Sequence, residues 1–463
     1  MLRNKNENSL AIALERCARF GVKPGLDAIR AVCAAMGNPQ DSCRTVHVAG
    51  TNGKGAVCAL VDSALRAAGF RTGRYTSPHL VSLTERFFLD GAPVSASILD
   101  SAFRNLPSPL NPHPSTLNPQ PLSSISYHPS SPPPPLTYFE LLTATAFELY
   151  RQEKVDYLVL ETGLGGRLDA TNIVKRPDVC VITRIGLDHC DWLGHTLAEI
   201  AAEKGGIIKP EVPVVLGAMP DEAREVLERI AAERHAPCVY APNPQPASAE
   251  GSDAASPQPL SSVSHHTSSD LTLNLRGKFN RENAVTALAA LKVLGVDDDA
   301  IKRGFSTVVW PGRYQRIDWR GKRFLVDGAH NPPAMRALAD SLKESAESET
   351  DAFSVRTVIC GFCGDKDVAA NLKILREVSE DVIAVPIRNP RSLPPERVAE
   401  LMREAGFRTV RECPSLEAAI AAAPDGTVVC GSLFLVGEAL EILGAMQGCS
   451  GLAVPNETFL PQH

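Results

Sequence analysis

The sequence predicts an α/β protein in which a doubly wound, mainly parallel sheet domain is followed by a smaller α/β domain. Three observations carry this prediction. Short β-branched apolar runs alternate with helical stretches almost from end to end. Those runs are continuous rather than alternating, the pattern of strands buried on both faces of a parallel sheet. Helices punctuate the strands, as crossover connections in a parallel sheet require. The chain has 463 residues, 44% hydrophobic and 22% charged, enough for two or three domains.

The elements follow in order. A strand is read over 45–49, a helix over 54–68 stopped at Gly69, and a strand over 74–76. Later come a helix over 139–151 and strands over 156–161 and 179–184. A second series begins after Trp310-Pro311-Gly312, with strands over 323–326, 357–360, 382–385 and 427–430. Helices over 332–345 and 395–405 lie between them. The expected division is a domain over 1–311, a smaller Rossmann-like α/β domain over 312–448 and a tail over 449–463.

Proline interrupts this pattern twice. Of 36 prolines, 11 fall within 107–135 and 5 within 242–269, and the remaining 406 residues hold an ordinary 20. Both segments are rich in Ser, Pro, Asn, Gln and His and nearly free of charge, so burial cannot offset their ordering entropy. They read as disordered inserts. Residues 119–131 and 257–269 match at 10 of 13 positions. A functional repeat is one reading; inserted low-complexity sequence, of the kind a translated intron supplies, is the one favoured.

Composition excludes some classes of function. Lys plus Arg is 47 against 53 Asp plus Glu, a net charge of −6, which argues against nucleic acid as a partner. No apolar run approaches the ~18 residues of a membrane span, and residues 1–10 carry no secretory pattern. Twelve scattered cysteines read as a reduced intracellular protein, cytoplasmic with an organellar pool left open. Cys360 and Cys363 fit either a redox pair or a strand-end turn, and the turn is favoured.

His47-Val-Ala-Gly-Thr-Asn-Gly-Lys-Gly-Ala56 follows a strand and opens a helix, the context of a phosphate-binding loop. Its glycines let backbone N–H groups converge on an anion, the helix N-terminus adds positive potential, and Lys54 reaches outward. The strict Walker pattern is not met, because Val48 stands where the first Gly belongs and Gly55 where Ser or Thr belongs. Metal ligands must then come from elsewhere. Ser77, Glu161 and His189 stand at or after strand ends, where open α/β sheets gather their ligands. Taken singly, each also fits a turn serine, a solvated glutamate or a capping histidine.

Four motifs in order complete the picture: the loop itself, Thr76-Ser-Pro-His-Leu80, Glu161-Thr-Gly-Leu-Gly-Gly-Arg-Leu-Asp-Ala-Thr-Asn172 and Asp327-Gly-Ala-His-Asn-Pro332. From about residue 10 to 445, apart from the inserts, the chain resembles the folylpolyglutamate synthase/dihydrofolate synthase family of the Mur ligase superfamily. The resemblance implies an ATP-dependent amide ligase, in which an acyl phosphate of a pteroate or folate is attacked by L-glutamate. It assigns Asn52, Gly53, Lys54 and Gly55 to the triphosphate, Asn283 to adenine, and Arg313 and Asp327 to further ATP contacts. Ser77, Glu161 and His189 would ligate Mg²⁺. Lys204 matches a lysine carbamylated in the family; unmodified, it reads as a surface charge. His330 shares the Asp327 motif and the same cleft. Thr137, Tyr138, Phe139 and Glu140, with Leu168, Asp169 and Ala170, match segments lining the pterin pocket, where Phe139 would cover a ring face and Asp169 would meet its N–H edge.

Two departures from the family pattern stand out: Ala56 where Ser is usual, and Phe279-Asn280 where His-Gln is common. A lost charge-assisted hydrogen bond of ~1.5–3 kcal/mol would weaken ATP binding about tenfold or more. These departures and the inserts leave a nucleotide-binding regulatory protein with weak or lost ligase activity as the competing reading. A cell-wall Mur ligase is disfavoured by the Thr76–Leu80 and Thr162–Asp169 motifs. The expected partners are small molecules, the expected state is a monomer, and ATP with Mg²⁺ is expected to draw the two domains together.

Overall fold

The computed structural model describes residues 9–17, 25–107, 135–241, 272–348 and 352–445. Apart from the edge residues Pro107 and Pro135, both inserts lie outside these ranges, as does the tail over 449–463.

The first sheet has eight strands: β1 (Arg44–Ala49), β2 (Thr72–Tyr75), β3 (Phe87–Leu89), β4 (Ala92–Pro93), β5 (Tyr157–Glu161), β6 (Val179–Ile182), β7 (Val214–Leu216) and β8 (Cys238–Tyr240). Their order is β4-β3-β2-β5-β1-β6-β7-β8. Strands β2, β5, β1, β6, β7 and β8 run parallel, whereas β3 and β4 pair antiparallel at one edge. The strands that the sequence predicts are present, and the sheet is mixed rather than wholly parallel. The edge hairpin escaped detection because it is short and closed by Asp90-Gly91, both at positive φ, rather than by a helix.

Both faces of the sheet are covered, which explains the continuous apolar runs. Leu158 and Leu160 of β5 pack into one core with helix Tyr138–Gln152, while Val159 joins another with helices Lys54–Ala67, Lys278–Val293 and Asp298–Thr307. Each such side chain contributes ~1.5–3 kcal/mol by leaving water. Helix Tyr138–Gln152 starts where it does because Thr137 and Glu140 form a reciprocal capping box.

The second sheet comprises β9 (Gln315–Trp319), β10 (Lys322–Val326), β11 (Thr357–Cys360), β12 (Asp381–Ala384), β13 (Thr409–Glu412) and β14 (Thr427–Cys430), in the order β13-β12-β11-β14-β10-β9. All are parallel except β9, which forms a hairpin with β10. Here too alternate residues serve opposite cores: Val358 and Cys360 face one, Ile359 the other. Cys360 ends β11 and Cys363 follows in the next turn, and both are buried free thiols, as the strand-end reading expects. Among the described residues no helix is long and apolar enough to cross a membrane.

Candidate active site

β1 lies between β5 and β6, where the strand order reverses, and the loop after it opens at the carboxyl end of the sheet. The end of β6 holds that loop in shape. Thr51 N donates to Arg184 O at 2.8 Å, Thr51 Oγ1 to Gly186 O at 3.0 Å, and Thr183 Oγ1 to Asn52 O at 2.8 Å. Gly53 has φ 89°, a left-handed backbone that glycine adopts without strain, and a Cβ there would also overlap Oδ1 of Asn283. Lys54 begins the helix and turns its Nζ back toward Gly50 O and Thr51 O at 3.1 and 3.2 Å.

A single cleft between the two sheets is lined by Asn52, Gly53, Lys54, Gly55, Ser77, Glu161, His189, Lys204, Asn283, Arg313, Asp327 and His330. The structure therefore brings together every residue that the sequence assigned to nucleotide, metal and catalysis. Glu161 closes β5 and accepts a hydrogen bond from Ser77 N at 3.2 Å. Burial pushes its carboxyl above the usual range, against the pull of Lys54, the Ser77 amide, Arg313 and Arg86. His189 precedes a short helix at φ 52° without a side-chain cap bond, and burial lowers its pKa to about 4, so the neutral imidazole has a lone pair to offer.

These donors fit a divalent cation. A buried carboxylate whose ionised form is disfavoured gains most from a cation beside it. Among the described residues no three His, Cys, Asp or Glu side chains converge as a ready-made metal cage. Such an ion would be held jointly with substrate phosphates, as is usual for Mg²⁺.

Lys204 corrects one expectation. It is 4% exposed, on the inner side of helix Leu197–Gly205, and is not a surface charge. Burial, with Lys54 nearby, lowers its pKa to about 7.

From the second sheet, Asp327 follows β10 and accepts from Tyr314 N and Ala329 N, each at 2.8 Å. Arg313 is electrostatically paired with Asp327 and with Glu161 across the cleft. His330 places Nδ1 2.7 Å from Gly328 O; a carbonyl only accepts, so Nδ1 carries the proton and Nε2 is free of one. Burial and Lys366 lower its pKa.

The sequence reading missed three residues here. Asp188, Asn331 and Lys366 meet in the cleft: Asn331 Nδ2 and Lys366 Nζ donate to Asp188 at 2.7 and 3.0 Å. Two of them had a visible signal, because Asp188 precedes His189 and Asn331 follows His330. Lys366 sits in Asp365-Lys-Asp367, just beyond the end of β11, where strand-end position was the only clue.

None of Thr137, Tyr138, Phe139, Glu140, Leu168, Asp169 and Ala170 lines this cleft. Two of them adjoin it: the Phe139 ring lies against Gly163, and Asp169 accepts from Leu164 N, and Gly163 and Leu164 both line the cleft. The carboxylate of Glu140 is engaged by Thr137 N and Oγ1, both at 2.8 Å. Asp169 accepts from Leu164 N, Thr171 N and Thr171 Oγ1 at 2.8, 3.0 and 2.5 Å. Its carboxylate thus shapes its own loop.

Comparison with known proteins bears on this arrangement. Residues 133–291 match the Mur ligase middle domain and residues 312–436 the Mur ligase, glutamate ligase domain. The chain is 35% identical to the Escherichia coli dihydrofolate synthase/folylpolyglutamate synthase over 91% of its own length and 92% of that protein's. The chain belongs to the folylpolyglutamate synthase/dihydrofolate synthase family. Members of this family are ATP-dependent ligases. The structure of Escherichia coli FolC in complex with DHPP and ADP superposes with a TM-score of 0.76 at 32% identity, covering 95% of this chain and 99% of that one. A family member solved with Mn, AMPPNP and L-glutamate bound gives 0.74 at 29% identity, covering 96% and 100%.

Proposed function

We propose that this chain adds L-glutamate to dihydropteroate, a (tetrahydro)folate or both, at the expense of ATP, in folate biosynthesis and polyglutamylation. A carboxylate oxygen of the acceptor attacks the γ-phosphorus and ADP leaves. The glutamate nitrogen then attacks the acyl carbon, phosphate leaves, and the nitrogen gives up a proton. The convergence of the phosphate loop, Glu161 and Arg313 on one cleft carries the reading. Phosphoryl transfer needs aligned positive charge there more than covalent help from the protein.

In this reading Asn52–Gly55 cradle the triphosphate, Asn283 faces adenine, and Arg313 and Asp327 complete the nucleotide site. Ser77, Glu161 and His189 would hold Mg²⁺, which would supply charge neutralisation at the transferring phosphoryl group. Lys204, once carbamylated, turns from cation to anion and offers a second oxygen donor. His330 takes the proton from the incoming ammonium at Nε2, since Nδ1 is committed to Gly328 O. Residues 137–140 and 168–170 form the acceptor's pterin wall. Residues 1–311 act as the ATP-binding domain and 312–448 as the ligase domain, with 449–463 a tail, in a monomeric cytoplasmic enzyme.

The test uses purified protein, ATP, Mg²⁺ and labelled glutamate with each acceptor in turn. Phosphate release that requires both acceptor and glutamate supports the reading. Nucleotide binding without such turnover overturns it in favour of a regulatory protein.

A further inference from the structure

Trp310 stands three residues before Arg313 in the segment joining the two sheets, and its indole lines the cleft. The edge of its six-membered ring occupies the place where a Cβ on Gly55 would lie. Any larger residue at position 55 would have to displace the indole, which gives the missing Walker hydroxyl a physical reason.

The indole is backed by a buried charge. The Arg74 guanidinium is 5.4 Å from the Trp310 ring centre and 3.9 Å from that of Phe88, so two aromatic faces take up part of the cation. Arg74 is 4% exposed, and its Nη1 donates to Asp62 Oδ2 at 3.2 Å. Asp62 also accepts from Thr72 Oγ1 at 2.5 Å. Asp62 belongs to the helix that Lys54 begins. The contacts therefore run from that helix through Asp62, Arg74 and Trp310 back to Gly55 in its first turn. A buried arginine with one carboxylate contact is weak support for stability, and this one also lies beside the Trp310 indole.

We propose that Trp310 is a positioning residue of the ligation reaction. Its contact at Gly55 sets the phosphate loop, and the chain it shares with Arg313 sets that guanidinium relative to the same loop. Asp62 and Arg74 hold the indole in register. This rests on the reading of the loop as the ATP site.

The test compares the full chain with Gly55→Ala, Trp310→Leu, Trp310→Phe and the Gly55→Ala/Trp310→Leu double variant. Glutamate-dependent phosphate release gives KM for ATP and kcat, and thermal midpoints confirm folding. Gly55→Ala is expected to lower kcat/KM for ATP about 100-fold, and the double variant to recover about tenfold of that because the indole no longer blocks the methyl. Trp310→Leu alone should raise KM for ATP about tenfold with KM for glutamate unchanged, and Trp310→Phe should restore most of the loss. Trp310→Leu with unaltered KM and kcat, or a double variant no better than Gly55→Ala, overturns the proposal while leaving the ligase assignment intact. Absence of turnover in the unaltered chain overturns both.

Discussion

Lys366 Nζ lies 3.0 Å from Oδ1 of Asp188, joining the two sheets across the cleft. Both side chains are largely shielded, at 14% and 11% exposed, and Asn331 holds the other carboxylate oxygen. Burial opposes ionisation, but His189, Lys366 and His330 together hold the Asp188 carboxyl well below the usual range. Removing one partner of a buried pair costs ~3–5 kcal/mol because the other charge is stranded. Asp188→Asn should therefore loosen the two sheets relative to each other. Small-angle scattering of the nucleotide-free protein should give a larger radius of gyration for Asp188→Asn and Lys366→Met than for the unaltered chain. An unchanged radius in both would mean that the pair does not hold the cleft.

Glu161 and Lys54 bear on the same phosphoryl group in the proposed reaction. Losing one preorganised electrostatic partner of a transition state typically costs ~10²–10³-fold in kcat. Glu161→Gln keeps the shape and loses the charge, so turnover should fall by about that factor or more while nucleotide still binds. Lys54→Met should lose both turnover and nucleotide affinity, measured by calorimetry with ADP. Undiminished activity in either variant would remove the assigned site.

How far the sequence revealed this site follows from the reach of each signal. The central strands were legible because burial on both faces forces continuous apolar runs, as in Tyr157–Glu161. The loop was legible because Gly53 and Lys54 act locally. Strands β3, β4, β7, β8, β9 and β13 were not, because segments as short as Ala92–Pro93 and Val214–Leu216 hold too few residues to set such a pattern. The burial of Lys204 was not legible, because a lysine on a helix reads as a surface charge and only packing reveals that it points inward. Trp310 and Arg74 are far apart in sequence and meet only through the crossover, so neither position alone announces the contact. The three donors to Asp169 were not legible either, because Leu164 and Thr171 are brought to its carboxylate only by the fold of the loop.

His47 ties β1 to the Asp169 loop. Thr171 Oγ1 donates to Asp169 and so accepts from His47 Nε2 at 2.9 Å, leaving Nδ1 buried without a partner. Burial, with Lys209, lowers its pKa from 6.5 to about 3. Below pH 6.5 the unfolded chain binds a proton that the folded chain refuses, so stability is lost as pH falls from 6.5 toward 3. Above 6.5 the group contributes no pH dependence. The slope approaches ~1.4 kcal/mol per pH unit within that window. His47→Gln keeps a donor for Thr171 and does not titrate. Denaturant midpoints between pH 6.5 and 4.5 should fall more steeply for the unaltered protein than for this variant; parallel curves would mean that His47 takes up its proton while folded.

An ordinary lysine is almost wholly charged at neutral pH, but with a pKa of about 7 roughly half of the Lys204 amines are neutral there. Only the neutral amine attacks carbon dioxide; its nitrogen bonds to carbon and releases a proton, giving a carbamate. Protein equilibrated with ¹³C-bicarbonate should therefore show a carbamate carbon resonance that grows as pH rises from 6 to 8 and is missing from Lys204→Met. The same variant should lose most glutamate-dependent turnover, since an oxygen donor has been replaced by an apolar chain. Full turnover in Lys204→Met would show that the neutral amine at this position, however reactive, has no part in the ligation.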